Sequence, residues 1–242
     1  MRTRIAPLTR RDRASLPQVY HSGVDSILKD LKTCSKRLRT TLSSYETELK
    51  ILERIYYKSK NQHRSALFWR RLVETRRFGR RIEQIGLGPF LDALRTSFCR
   101  EDNPKLLKGS WTHYPDKAFV LRITEECTLF SKLLDEGRAR LQETYRILSL
   151  EMQSGAFIHV ILIILSMVSR LALLTSDLYD SLNHVNSAVL RLQSIYVNNT
   201  LIQETDNFFP SDQINQSCLN STPAPPSDRL SLPREFELFL GC

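Results

Sequence analysis

The sequence predicts an all-α protein, a bundle of about four long helices that includes a basic helical hairpin. Only eight glycines occur, and the ten prolines lie mostly near the two ends, so long stretches contain no helix-breaking residue. In those stretches apolar residues recur at steps of three and four, the spacing of one helix face. No long window shows the alternation typical of a strand.

The first two helical patterns predict an antiparallel hairpin. One runs from Val24 to Tyr56 and would be about 50 Å long at 1.5 Å per residue. After a polar break at 59–64, the second runs from Phe68 to Ile85. The sequence Gly-Leu-Gly-Pro at 86–89 ends it, because glycine suits a helix C-cap and proline cannot continue the helix.

Two further long patterns complete the predicted bundle. A short apolar segment at 90–98 predicts an accessory helix, and Trp111 precedes the third long pattern, which runs from Phe119 to Met152 and stops at Ser154-Gly155. The fourth begins at Ala156 and continues to about residue 196 at heptad-like spacing.

Composition predicts three regions. Residues 1–20 form a basic arm, residues 21–200 the helical bundle, and residues 201–242 an acidic tail rich in Asn, Ser and Pro; we expect the arm and the tail to be disordered. The five cysteines are an odd number and none has zinc-ligand spacing, which indicates a reducing compartment and no metal or other cofactor. The N-terminus lacks the apolar run of a signal peptide, so we expect the nucleus or nucleolus.

Positive charge is concentrated in one segment. Residues 54–81 contain ten basic residues and one acid, a net +9 that equals the formal charge of the whole chain. Such a concentration of positive charge is typical of a site that binds a polyanion. The alternative interpretation is a solvated helix face.

A helical wheel places Trp69 with Arg76 and Arg80, away from the apolar arc of the second helix. An indole among guanidinium groups can stack on an unpaired base while the arginines hold phosphates. The alternative is that Trp69 packs against another helix. In the preceding turn, Asn61 to Arg64 offer hydrogen-bonding groups that can read base edges, although Asn61 could instead cap the second helix.

Residues 156–174 are the most apolar window, and their length would suffice for a membrane span. His159 and Arg170 would then lie in lipid, and the heptad pattern continues beyond the window, so we predict a buried bundle helix in which Arg170 is a structural residue with an acidic or phosphate partner. A single-pass membrane protein remains an alternative, as does a nuclear regulatory nucleic-acid-binding helical protein. We expect no enzyme, because no phosphate-binding glycine loop, nucleophile elbow or metal motif is present.

The run Tyr-Lys-Ser-Lys-Asn-Gln-His-Arg at 57–64, followed by Trp69 and an arginine-rich helix, resembles the RNase MRP-specific protein subunit, whose animal relatives form the nucleolus and neural progenitor protein family. Trp111 and the sequence Gly155-Ala156-Phe157, which leads into the apolar helix with Arg170, are similar to further family segments. The resemblance covers about residues 24–197. The acidic tail departs from it, because family members carry a lysine-rich tail.

The resemblance implies a non-catalytic subunit of a nucleolar ribonucleoprotein whose RNA cuts precursor rRNA in its first internal transcribed spacer. Its implied partners are RNase MRP RNA, the other protein subunits of the RNase MRP/P complex and, indirectly, precursor rRNA; it implies no small-molecule ligand and no membrane. Structural roles fall to Arg170 and Trp111, and no residue is catalytic. The implied RNA-binding residues are Lys58, Lys60, Asn61, Gln62, His63, Arg64, Trp69, Arg70, Arg71, Arg76, Arg77, Arg80 and Arg81.

Overall fold

The computed structural model describes residues 8–100 and 109–208, with side chains as far as Val197. Within these residues, four long helices and one short helix build the fold, which confirms the predicted all-α bundle. The helices are α1 (His21–Ser59), α2 (Leu67–Gln84), α3 (Leu87–Thr96), α4 (Lys117–Met152) and α5 (Ile158–Phe208).

The longest helix, α5, packs along both α4 and α1 and forms the centre of the bundle. Its apolar stripe is buried from Ile161 to Leu192, because side chains three and four positions apart share one helix face. α1 runs antiparallel to α5, and ion pairs join the two at their rim, for example Arg37 to Asp177 at 3.3 Å.

α2 turns back along α1 and also packs on α4, so the predicted antiparallel hairpin is present. Two helical glycines allow this close packing. A Cβ at Gly79 would lie 2.7 Å from Leu49 Cδ1 of α1, and one at Gly137 of α4 would lie 2.9 Å from Phe78 Cε1 of α2. Glycine weakens a helix interior by about 1 kcal/mol, and here it lets three helices approach one another.

The helix boundaries follow the glycines more closely than the prolines. Gly86, between α2 and α3, has a φ of +72°, the left-handed conformation that glycine adopts without strain. Pro89 does not block α3 but lies in its first turn, where a missing N–H costs nothing. α2 begins at Leu67 with Ala66 as its N-cap, so the interpretation of Asn61 as a cap is wrong.

The folded region begins earlier than residue 21. Residues 10–12 form β1 (Arg10–Asp12), which pairs antiparallel with β2 (His113–Pro115), and short 3-10 turns at 13–15 and 18–20 lead into α1. Tyr196 of α5 donates a hydrogen bond to the carbonyl of Pro115 and so ties this ribbon to the bundle. The predicted arm boundary therefore needs correction for residues 10–20, and α5 extends to Phe208, beyond the predicted boundary at 200. Residues 1–7 and 209–242 lie outside the described residues.

Candidate nucleic-acid interface

The basic hairpin consists of α2, the turn at 60–66 and the last part of α1 from residue 54. Most of its basic side chains are exposed. Seven of them have no acidic partner in the part of the chain that the structure describes, and they are Arg54, Lys58, Lys60, Arg64, Arg70, Arg77 and Arg81.

The outward face of α2 carries three of these cations in one stripe. Arg70, Arg77 and Arg81 are separated by seven and four residues, which places them along one side of the helix over about 16 Å. Arg54 and Lys58, four residues apart, point outward from α1 in the same way. These side chains present a positive surface whose charges no carboxylate of residues 8–100 or 109–197 neutralises.

The other three predicted arginines are engaged within the protein. Glu53 of α1 accepts hydrogen bonds from Arg76 at 3.4 Å and from Arg80 at 2.7 Å. Arg76 is largely buried, and its guanidinium lies 3.6 Å from the ring centroid of Tyr56. Arg71 pairs with Glu74 at 2.9 Å. Arg76 therefore holds α2 on α1, and the prediction that it is a free phosphate contact needs correction.

The prediction that Trp69 stacks on an unpaired base also needs correction. Its side chain is 3% exposed, and it stacks on Tyr56 with centroids 5.2 Å apart and an interplanar angle of 12°. The wheel grouped Trp69 correctly with Arg76 and Arg80, but the face that they share is directed at α1 rather than at solvent. A base cannot stack on Trp69 in this structure, and the packing interpretation describes its position.

The predicted base-reading residues of the turn at 60–66 differ in their exposure to solvent. Lys60, Asn61, Gln62 and Arg64 are exposed. His63 is 3% exposed, and its ring contacts both Phe68, at 5.7 Å, and Trp69, at 5.8 Å, centroid to centroid. His63 is therefore covered in this structure and does not reach a ligand at the surface.

The turn between α4 and α5 meets the turn at 60–66 at one end of the bundle. The ring of Phe157 contacts the ring of His63 edge to face, with centroids 4.6 Å apart and an angle of 76°. Gly155 and Phe157 both have left-handed backbones, with φ of +76° and +57°. Sequence reasoning did not include Phe157 among the site residues. The only signal for it was the resemblance of Gly155-Ala156-Phe157 to a family segment.

Arg170 on α5 has an acidic partner. Its Nη2 lies 2.5 Å from Oε1 of Glu48 on α1, whose side chain is 4% exposed.

On its outer side, α5 presents the apolar side chains of Leu162, Ile163 and Leu173 to solvent. By length and composition, the stretch Ile158–Val197 of α5 could cross a membrane.

Trp111 lies in the core at the opposite end of the bundle. Its indole N–H donates to Asp25 of α1 at 2.8 Å, its ring meets His21 edge to face, and Arg13 lies 4.4 Å above it. These contacts fasten the segment before α4 to α1. In the described residues no group of three or more His, Cys, Asp or Glu side chains could hold a metal ion.

The sequence model of one family matches residues 10–188, which are 179 of the 242 residues. That family is described as "Nucleolus and neural progenitor protein, N-terminal". The match includes the basic hairpin, both turns at the His63 end and the apolar half of α5. No curated protein and no solved structure matches the chain.

Proposed function

The chain belongs to the nucleolus and neural progenitor protein family, and from this premise we propose that it is a non-catalytic RNA-binding subunit of the RNase MRP ribonucleoprotein. The family name indicates the nucleolus, where precursor rRNA is processed. In this proposal the RNA component cuts the first internal transcribed spacer, and the protein binds and positions that RNA.

One observation carries the proposal: the seven exposed cations of the hairpin and its turn have no acidic partner among the described residues. Salt bridges neutralise many other arginines of this chain, including Arg140 with Glu136 at 2.6 Å and Arg146 with Glu143 at 2.8 Å. A surface whose charges are left unpaired fits a polyanion, because binding releases the counterions of the phosphates. The bundle supports the hairpin, since α2 packs against both α1 and α4.

We assign a different partner to each of two surfaces, RNA to the basic one and protein to the apolar one. RNase MRP RNA would lie on the basic hairpin, and precursor rRNA would be reached only through the particle. Another protein subunit of the RNase MRP/P complex would cover the exposed apolar face of α5 at Leu162, Ile163 and Leu173. An exposed apolar patch is typical of a protein contact.

The same apolar face is what favours the second candidate, a single-pass membrane protein. The packing of α5 argues against it. α1 and α4 cover the inner face of α5 from Ile161 to Leu192 and carry many charged residues, among them Glu48 opposite Arg170. A bundle of this kind would have to separate before α5 could enter lipid, where charged side chains are costly.

Sequencing of the RNA that copurifies with the tagged full-length protein tests the proposal. We expect enrichment of RNase MRP RNA over RNase P RNA. Replacing Arg70, Arg77 and Arg81 with Gln should reduce the recovery strongly. The matched control replaces Lys36, Lys117 and Lys132 with Gln, because these lysines are also exposed and the change in net charge is the same. Recovery of neither RNA by the wild type would refute the proposal, and extraction with the membrane fraction by carbonate would support the second candidate.

A further inference from the structure

The imidazole ring of His63, which contacts Phe157, is an unusual polar group in the interior. Both ring nitrogens of His63 are buried and have no hydrogen-bond partner in the described part of the chain. A neutral imidazole has one donor and one acceptor nitrogen, and buried polar atoms are nearly always hydrogen-bonded. A ligand that reached the ring of His63 could form the hydrogen bonds that the described protein residues do not form with it.

Phe157 provides the cover over this histidine, and its conformation is unusual. A left-handed backbone is rare for a bulky residue, and such backbones cluster at functional sites. Its carbonyl accepts hydrogen bonds from Val160 and Ile161, both at 3.0 Å, so it is held at the start of α5. The residue is nevertheless 58% exposed, far more than Trp69. Phe157 is therefore an aromatic face that is open to solvent.

Exposed basic residues lie close to His63 in the chain. Lys58, Lys60 and Arg64 are exposed on the turn that carries His63 and on the end of α1 before it. Tyr57 is also exposed, with the Lys60 ammonium 4.9 Å from its ring centroid. An open aromatic face, an unsatisfied hydrogen-bonding ring and nearby cations match the three parts of an unpaired nucleotide, which are the base face, the base edge and the phosphate.

We propose that His63 and Phe157 together bind one unpaired nucleobase of the RNA that the basic hairpin holds, an inference that rests on the proposed function. The ring of Phe157 turns away from His63 and stacks on the base, and a ring nitrogen of the uncovered His63 hydrogen-bonds to the base edge. The buried histidine is then the free state of the site. The stacking residue is Phe157, in place of the buried Trp69.

Binding to two RNA probes tests this site separately from the basic hairpin. The probes are a single-stranded 12-nucleotide oligouridine and a fully paired RNA duplex, each titrated with the full-length protein. Phe157→Ala should weaken binding to the single strand about 10-fold, since the stacked base is lost, and leave duplex binding unchanged. Phe157→Trp should restore single-strand binding, because it keeps an aromatic face.

Two further variants separate stacking from other effects. Leu129→Ala is the matched control, because Leu129 is a comparably exposed apolar residue of α4 outside the site, at 63% exposure; it should bind both probes as the wild type does. His63→Phe keeps an aromatic ring and removes both nitrogens. It should retain most of the single-strand affinity while making the affinities for oligouridine, oligocytidine and oligoadenosine converge.

The outcomes distinguish this inference from the proposed function. Unchanged single-strand binding by Phe157→Ala, or equal weakening for both probes, would overturn the nucleobase site and leave the basic hairpin standing. If replacing Arg70, Arg77 and Arg81 with Gln changes neither titration, the proposed RNA surface is wrong. If the wild-type protein binds neither probe, both proposals fail.

Discussion

Arg170 of α5 pairs with the buried carboxylate of Glu48 on α1, with 2.5 Å between Nη2 and Oε1. The other carboxylate oxygen of Glu48 is buried without a hydrogen-bond partner in the described residues. The guanidinium, whose side chain is 66% exposed, therefore brings the only neutralising charge that the structure shows at this carboxylate. One ion pair joins the most apolar part of α5 to α1.

The first prediction concerns this pair. Arg170→Leu should lower the free energy of unfolding by about 2 kcal/mol, because it leaves a buried carboxylate unpaired, with the loss moderated by the exposure of the arginine. The double variant Glu48→Leu/Arg170→Leu should regain most of that loss, since no buried charge remains. Urea unfolding followed by circular dichroism measures both. Equal stability of Arg170→Leu and the wild type would contradict the structural role.

A second prediction follows from the packing of Trp69 on Tyr56. Trp69→Ala should lower the free energy of unfolding by about 3 to 5 kcal/mol, as expected for removal of a buried aromatic side chain. Trp69→Phe should fold normally and bind RNA with unchanged affinity, because the indole is not exposed. An RNA affinity that falls in a stably folded Trp69→Phe variant would show that the indole reaches the RNA.

The third prediction uses salt dependence to separate free from engaged arginines. If about six phosphates are neutralised, the slope of log K against log salt is about −4 to −5. Replacing Arg70, Arg77 and Arg81 with Gln should flatten that slope by about 2 to 3 units. Replacing Arg76 and Arg80 with Ala should flatten it by less than about one unit, because the carboxylate of Glu53 already offsets one of their two positive charges. The opposite ranking would show that RNA displaces Glu53.

The strained backbone of Phe157 gives a fourth prediction. Phe157→Gly should relieve a left-handed conformation that costs a bulky residue about 1 kcal/mol, at the expense of the ring contact with His63. We therefore expect thermal stability equal to or above that of the wild type, together with weaker binding to single-stranded RNA. A large drop in melting temperature would show that the ring serves the fold and not the ligand.

Much of the fold could be predicted because it depends on local periodicity. The stripes of α1, α2, α4 and α5, the antiparallel hairpin of α1 and α2 and the break at Gly155 all follow from residues close in sequence. The β1–β2 ribbon could not be predicted in this way. Its strands have three residues each, too few for an alternation signal, and they pair across about 100 residues of chain.

In the candidate site, too, local sequence predicts some features and contacts between distant residues determine the others. The wheel correctly placed Trp69, Arg76 and Arg80 on one face, yet it could not indicate that this face meets Tyr56 and Glu53 of α1. The buried ring of His63 contacts Phe157, which lies 94 residues later in the chain. Which side of a helix meets solvent depends on such distant neighbours, and a single sequence does not contain that information in local form.

The most direct test of the proposed function is the identity of the RNA bound in cells. Tagged protein should be purified after crosslinking and its RNA sequenced, with the triple Gln variant of Arg70, Arg77 and Arg81 in parallel. The proposal predicts strong enrichment of RNase MRP RNA over RNase P RNA, with loss of that enrichment in the variant. Equal recovery of both RNAs, or enrichment of neither, would contradict it.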